Sequence, residues 1–403
     1  LRARDAEVID AADSIVMPGF VDAHRHAWLS IFRNMGADDA ILQQSVAIPE
    51  LATFLGPDDV YASTLVGLLG AIEAGITTVV DWSDMLVDES YIEATLQAHT
   101  DAGLRTVLVQ SNVGLESGSA IDRIRPLADR FPSEQALMTI AFGESSLEAR
   151  DVEALGRDWT AVRQAGLRVH AHAGVIADTP RNISEHTNSG LLGPDVTLLH
   201  CSHLSRSDLE AVKASGASVV FTPASEMTRG QGSPPVQELI DIGIRPGLGV
   251  DNEIATPGDM FAQLRAAISI QHATLFESKL AGKAGVPQLL GTRDVIRWAT
   301  VDSAKAIGLG SMVGRLDPGM QADVVVLRSD RANIYPINDP IGAVVWGMDT
   351  SNVDSVLVAG QTVLRDGKPV GDTSRARALA LEASRRVTAR PSGDSGADQV
   401  ALS

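Results

Sequence analysis

The chain has a single cysteine, Cys201, in 403 residues. That excludes an internal disulfide framework and fits a reducing compartment. It lacks basic excess: the formal net charge is −18, whereas phosphate backbones and anionic lipid require basic patches. No apolar run approaches the roughly 20 residues of a membrane span. The first residues, LRARDAEVIDAADS, lack the apolar core of a signal peptide. The expectation is a cytoplasmic protein with neither nucleic acid nor a membrane as partner. What is present, 44% hydrophobic and 21% charged residues, is ordinary for a soluble globular chain.

From residue 20 to 251, short β-branched runs alternate with helical stretches. The runs are Gly19–Asp22, Thr77–Trp82, Arg105–Ser111, Leu137–Phe142, Leu167–Ala173, Val196–Cys201, Ala217–Thr222 and Ile244–Asp251. After the first long gap they recur at about the length of a strand–helix unit, and continuous apolar strands suit a buried parallel sheet. Glycines stand between helix and strand in EAGITTVV, DAGLRTVLV, QAGLRVHAH, ASGASVVF and DIGIRPGL, the usual left-handed helix stop. Eight such units predict an α/β fold, a closed (β/α)8 TIM-type barrel over residues 17–311; a barrel of this kind takes about 250 residues. A doubly wound sheet is the alternative, but it scatters along a row the histidines that a barrel gathers into a ring. Thr292–Leu309 reads as a helix pair. GRLDPGMQADVVVL, AVVWGMD and VDSVLVAGQTVLRDGKPV read as strands and turns. Residues 1–16 and 312–372 are expected to form a small β-sandwich domain beside the barrel. Residues 391–403 are polar and small, and are expected to be disordered.

The segment MPGFVDAHRHAW places His24 and His26 at the end of the first run. Residues i and i+2 of a strand face one side, so both imidazoles can grip one cation. VHAHAG adds His170 and His172, LLHCSH adds His200 and His203, and GLGVD adds Asp251; six of the nine histidines lie in these clusters. At the active-site face of a barrel, His24, His26, His172, His200 and Asp251 would converge. Three imidazoles and a carboxylate leave a coordination position open for water, as in catalytic metal sites. A bound cation lowers the pKa of that water toward about 7. Asp251 can take the water's proton while ligating, and His200 is placed to hydrogen-bond the water or polarise a substrate.

Through PGFVDAHRH, AGITTVVDW, the His172 strand, LLHCSHL, GLGVD and GRLDPGMQADVVVL, the chain resembles the amidohydrolase superfamily. The resemblance is to the branch holding cytosine deaminase, adenosylhomocysteine/methylthioadenosine deaminase and the triazine hydrolases. It implies a metal-dependent hydrolase acting on carbon–nitrogen bonds other than peptide bonds, with a metal-bound hydroxide attacking a small nitrogen heterocycle. It implies one divalent ion, zinc or iron, held by His24, His26, His172 and Asp251, with His200 and Asp251 catalytic, and a homo-oligomer. Two features depart from the branch. Its deaminases carry a glutamate three residues after the strand-5 histidine, where this chain has Val175; Glu144, Glu185, Glu226 and Glu253 are the candidate replacements. Relatives also carry more residues before the HxH motif, so the chain is expected to be a truncated form. The missing glutamate keeps open an amide or carbamate hydrolase or a dehalogenating triazine-type hydrolase. A non-catalytic metal- or ligand-binding homologue is the other alternative.

Around this set, Trp28, Glu144, His203 and Glu226 are candidate substrate contacts. Glu144 reads either as a buried structural acid or as a substrate contact or bridging ligand for a second metal. Trp28 and Trp82 either line a pocket or simply pack. His170 is expected to pack in the barrel interior, and His203 to support a loop or the substrate. His99, His186 and His272 are expected at the surface, and Arg25 in a salt bridge outside the barrel. The Gly/Pro-rich loop Ala224–Pro235, with Glu226, Arg229 and Gln231, is expected to reach the substrate.

Overall fold

The computed structural model describes residues 8–38, 48–113, 115, 119–131, 136–175, 183–370 and 373–388. After β1 (Ser14–Pro18) come eight strands in the order of the chain: β2 (Phe20–Arg25), β3 (Ile76–Ser83), β4 (Arg105–Ser111) and β5 (Met138–Glu144), then β6 (Val169–Ala173), β7 (Val196–His200), β8 (Ser218–Phe221) and β9 (Gly247–Leu248). Each pairs in parallel with the next. Every residue of β3 and β4 is buried, which is why these runs carry no polar alternation. All five expected helix-stop glycines, Gly75, Gly103, Gly166, Gly216 and Gly243, have φ between 71° and 79°. At Gly103 the reversal lets its N–H bond back to the His99 carbonyl at 3.0 Å.

The first and last strands meet through backbone rather than through a long ladder. The amides of Val250 and Asp251 donate to the His24 carbonyl at 3.1 and 2.8 Å, and the His26 amide donates to the Asp251 carbonyl at 2.7 Å. An isolated parallel bridge links Arg25 and Asp251. The expected (β/α)8 barrel is therefore the fold, and its seam runs through the site candidates.

The N- and C-terminal segments form one antiparallel sheet, β1 followed by β10 (Val324–Arg328), β11 (Val353–Val358), β12 (Gln361–Arg365) and β13 (Lys368–Pro369). Arg105 at the foot of β4 forks onto Asp323, with Nε and Nη2 donating at 2.9 and 3.0 Å, and Asp323 also accepts from the Ala359 amide. This buried pair fastens sheet to barrel.

Four expectations need correction. Thr292–Leu309 is one helical rod, not a pair: Thr292–Arg297 continues through a π turn, Trp298–Asp302, into Ser303–Ala306. There the Ser303 hydroxyl takes the Trp298 carbonyl at 2.6 Å. His99 is buried, because Asp81 reaches its Nε2 at 2.9 Å and Thr106 its Nδ1 at 3.0 Å. His186 is buried too. Arg25 does form its salt bridge, with Asp22 at 2.7 Å, but fully buried, and it donates further to the Gly258 carbonyl at 2.6 Å. A helix not anticipated, Ser374–Thr388, packs Ala380, Ala383 and Val387 against Trp28, Phe32 and Val60. Residues 391–403 lie outside the described residues. No described helix is long and apolar enough to cross a membrane.

Candidate active site

Each chemical side chain here sits where a barrel strand ends. His24 lies on β2, His26 just after it, His172 on β6, His200 at the last residue of β7, and Asp251 three residues beyond β9. Ring centroids separate by 4.9 Å for His24–His26, 5.0 Å for His24–His172, 5.4 Å for His24–His200 and 5.3 Å for His172–His200. Asp251 Oδ1 is 3.8 Å from His24 Nε2 and 3.6 Å from His26 Nε2. Two triads, His24–His172–His200 and His24–His26–Asp251, have donor atoms within 4.8 Å of one another and can hold a metal ion.

Local backbone strain accompanies this convergence. His200, Cys201 and Asp251 adopt φ of 70°, 58° and 71° without being glycine. Such residues cost about 1–3 kcal/mol each and persist only when surrounding structure over-determines them. Here the barrel seam fixes Asp251, and the Cys201 amide is fixed by the Ala173 carbonyl at 2.9 Å.

The electrostatics suit a cation. Among the described residues, both ring nitrogens of His24 and the Nδ1 atoms of His26 and His172 are buried without a hydrogen-bond partner. Native interiors rarely tolerate that, so the donor set fits an ion. Burial, and then the neighbouring imidazoles, push His24 and His172 well below the usual histidine range; both are neutral and offer lone pairs. His26 is raised: burial opposes this, but Asp84 and Asp251 outweigh it. Asp251 is held well below the carboxylate range, since the Arg229 guanidinium and the imidazoles overcome its burial. Arg229 Nη1 donates to Asp251 Oδ2 at 2.8 Å, and the Ser225 hydroxyl donates to the same oxygen.

His200 is oriented from behind. Its Nδ1 lies 3.0 Å from Glu226 Oε1, an oxygen that also accepts from the Thr222 amide at 2.8 Å. Glu226 thus stands behind His200, away from the cavity. A cavity of about 550 Å³ opens above the cluster, lined by Trp28, Leu29, Met85 and Tyr91 among apolar residues and by Arg229, Gln231 and Asn252 among polar ones. Trp28 lines it; Trp82 packs edge-on against His172 at 4.3 Å. Glu144 does not reach the cluster, because Asn112 and Arg150 hold its two oxygens at 2.6 and 2.7 Å. The expected loop Ala224–Pro235 is helical in its first part, Pro223–Thr228, because Pro223 at the first position of the helix suits its start; His203 packs against Gly232 beyond the helix, and Arg229 and Gln231 there line the cavity. His170 is buried in the barrel and pushed down to about 3 by burial and Arg168. Glu185 is exposed on its helix, and Glu253 accepts from Ser30 at 2.8 Å and pairs with Arg33 at 2.8 Å.

Among the described residues, two cavity carboxylates escaped the sequence reading, Asp84 and Glu148. A second cavity of about 280 Å³, sharing His26, Asp84, His172 and Val175 with the first, is lined by both. Asp84 carries a signal that could have found it, one strand-end step past Trp82. Glu148 lies inside a loop and carries none.

Comparison with known proteins places the chain in a family and a fold. The model of the Amidohydrolase family matches residues 15–363. A 5-methylthioadenosine/S-adenosylhomocysteine deaminase from Acetivibrio thermocellus is 27% identical, covering 89% of this chain and 83% of that protein. One of the same name from Halobacterium salinarum is 29% identical, covering 89% and 84%. Among solved structures, an adenosine deaminase from Xanthomonas campestris with bound zinc superposes with a TM-score of 0.82 at 21% identity, covering 94% of this chain and 87% of that one. Atrazine chlorohydrolase from Arthrobacter aurescens, complexed with zinc, gives 0.82 at 21% identity, covering 95% and 91%. At such identities these two structures establish the fold.

Proposed function

The chain belongs to the amidohydrolase family, a hydrolase of carbon–nitrogen bonds other than peptide bonds, and on that premise we propose that it deaminates a small planar nitrogen heterocycle. His24, His26, His172 and Asp251 hold one divalent ion, zinc or iron. Such an ion supplies a water whose pKa falls toward about 7 and polarises the bond under attack.

The chain's own groups do the rest. Asp251, kept ionised by Arg229 at 2.8 Å, accepts the proton of the attacking water. His200, with Nδ1 fixed by Glu226, presents its other nitrogen to the reacting carbon's substituent. Trp28, Leu29, Met85 and Tyr91 form an apolar wall that excludes water and takes the flat face of the ring. Gln231, whose buried Oε1 has no hydrogen-bond partner among the described residues, offers an acceptor to a ring N–H.

The observation that carries this reading is the convergence of four imidazoles and one carboxylate, several of their nitrogens unpartnered, under a cavity of ligand size. The test is elemental analysis of the purified protein together with ammonia release from cytosine-, guanine- and triazine-like amines. About one zinc or iron per chain with ammonia release supports it. Metal without ammonia from any amine moves the reading to amides, carbamates or halides. No metal overturns it in favour of a non-catalytic protein.

A further inference from the structure

Expelling nitrogen from a tetrahedral carbon requires a proton on that nitrogen, because an amide anion is far too basic to leave; a positioned acid supplies about 10²–10⁴ in rate. At the end of β6 the chain presents Val175, whose methyls cannot do this. The acid must come from elsewhere in the cavity wall. Among the described residues, Asp84, Glu148 and Asp251 are the carboxylates that line the two cavities. Asp251 faces His24 and His26 and already takes the proton of the attacking water. Asp84, just after β3, accepts from Trp82 Nε1 at 2.9 Å and faces His26 at 3.7 Å.

We propose that Glu148, delivered by the loop after β5, is the catalytic residue that carries a proton to the departing nitrogen. Two bonds place it. The Leu147 amide donates to the His172 carbonyl at 3.0 Å, stitching the loop to the strand end that bears His172. The Gly174 amide donates to Glu148 Oε1, one residue from Val175. The carboxyl is buried, 7% exposed, and lines the cavity of about 280 Å³ together with His26, Trp82, His172 and Val175. A neighbouring strand's loop thus fills the space that Val175 leaves without an acid.

The step balances. Water's oxygen bonds to the ring carbon as the carbon–nitrogen π pair moves onto the ring nitrogen, and one water proton passes through a carboxylate to that nitrogen. The second water proton passes through Glu148 to the exocyclic amine. The carbon–nitrogen bond then breaks with its electron pair leaving on nitrogen, ammonia departs, the carbon keeps the oxygen, and both carboxyls regain their starting charge.

This assignment rests on the deaminase reading, and the experiment separates the two. Glu148→Gln keeps an acceptor for the Gly174 amide but cannot carry a proton. Expected is a fall in kcat of at least about 100-fold, with KM, metal content and thermal midpoint unchanged. Glu148→Ala should regain turnover with added formate, and the double variant Glu148→Gln with Val175→Glu should recover at least about tenfold over Glu148→Gln, within the range a positioned acid supplies. A Glu148→Gln kcat within about twofold of the parent, small beside that range, overturns the assignment alone. Loss of metal or of thermal midpoint in step with kcat also overturns it, by making Glu148 structural. No ammonia from any amine with the parent protein overturns the deaminase reading and the assignment with it.

Discussion

Gly249→Ala tests whether the barrel seam builds the site. A Cβ at Gly249 would lie 2.8 Å from both the amide nitrogen and the carbonyl oxygen of His24, and 3.0 Å from its Cβ. Those are backbone atoms held by the seam, so no flexible side chain can swing away. Overpacking of this kind costs about 1–3 kcal/mol. Loss of the two bonds from Val250 and Asp251 to the His24 carbonyl adds about 1 kcal/mol each. The expected destabilisation is about 3–5 kcal/mol. With an unfolding entropy of about 2.1 cal/mol/K per residue over 403 residues, roughly 0.8 kcal/mol/K in all, that is a midpoint shift of about 4–6 °C. The same displacement moves His24 against Asp251, so metal per chain should fall with it. Calorimetry and elemental analysis of one preparation read both. Gly166→Ala is the control: its φ of 75° carries strain, but nothing lies within 4 Å, so it should cost only about 1–2 kcal/mol and leave metal untouched. An unchanged midpoint with full metal in Gly249→Ala would refute the reasoning.

Replacing His26 with alanine should leave most chains without metal, and full occupancy in that variant would sink its place among the ligands. Glu226→Ala removes the partner of His200 Nδ1 and should lower turnover about 10–100-fold, while Glu226→Gln, which can still accept, should lose less. Equal rates for the parent and both variants would remove Glu226 from the mechanism. Asp323→Ala leaves Arg105, 2% exposed, without its forked partner. Breaking a buried pair on one side costs about 3–5 kcal/mol, to be read as a lowered urea midpoint with turnover at low temperature kept. An unchanged midpoint would mean that the pair does not fasten sheet to barrel.

The strands and the ring of donors were readable because their signals are local. Continuous β-branched runs, left-handed glycines and strand-end histidines each announce themselves within a few residues. What escaped depends on partners far along the chain. His99 reads as a surface residue on its helix until Asp81, on the adjoining strand, takes its Nε2. Glu144 reads either as a buried structural acid or as a substrate contact or bridging ligand, and Arg150, six positions on, decides for the first by folding back onto it. The Ser374–Thr388 helix buries mainly alanine, at 376, 380 and 383, too small a payload for a clear hydrophobic stripe. Glu148 enters the cavity only because Leu147 hydrogen-bonds the end of β6, a contact that no pattern within the loop encodes.

Four carboxylates around the barrel mouth are taken up by basic partners. Asp22 meets Arg25, Asp81 meets His99, Glu144 meets Arg150 and Glu253 meets Arg33. In each case a basic side chain outside the histidine cluster compensates the buried charge, and the acid is used up in holding a strand end or loop. Asp84, Glu148 and Asp251 border the cavities, where they can meet a substrate or an ion. Asp251 shows the two uses in one residue: Arg229 and Ser225 take Oδ2, while Oδ1 faces His24 and His26. The arginine keeps the carboxylate ionised, and the strained backbone at φ 71° fixes which oxygen is offered. A residue that must both ligate and accept a proton needs that separation, with one oxygen anchored and the other turned to the reaction.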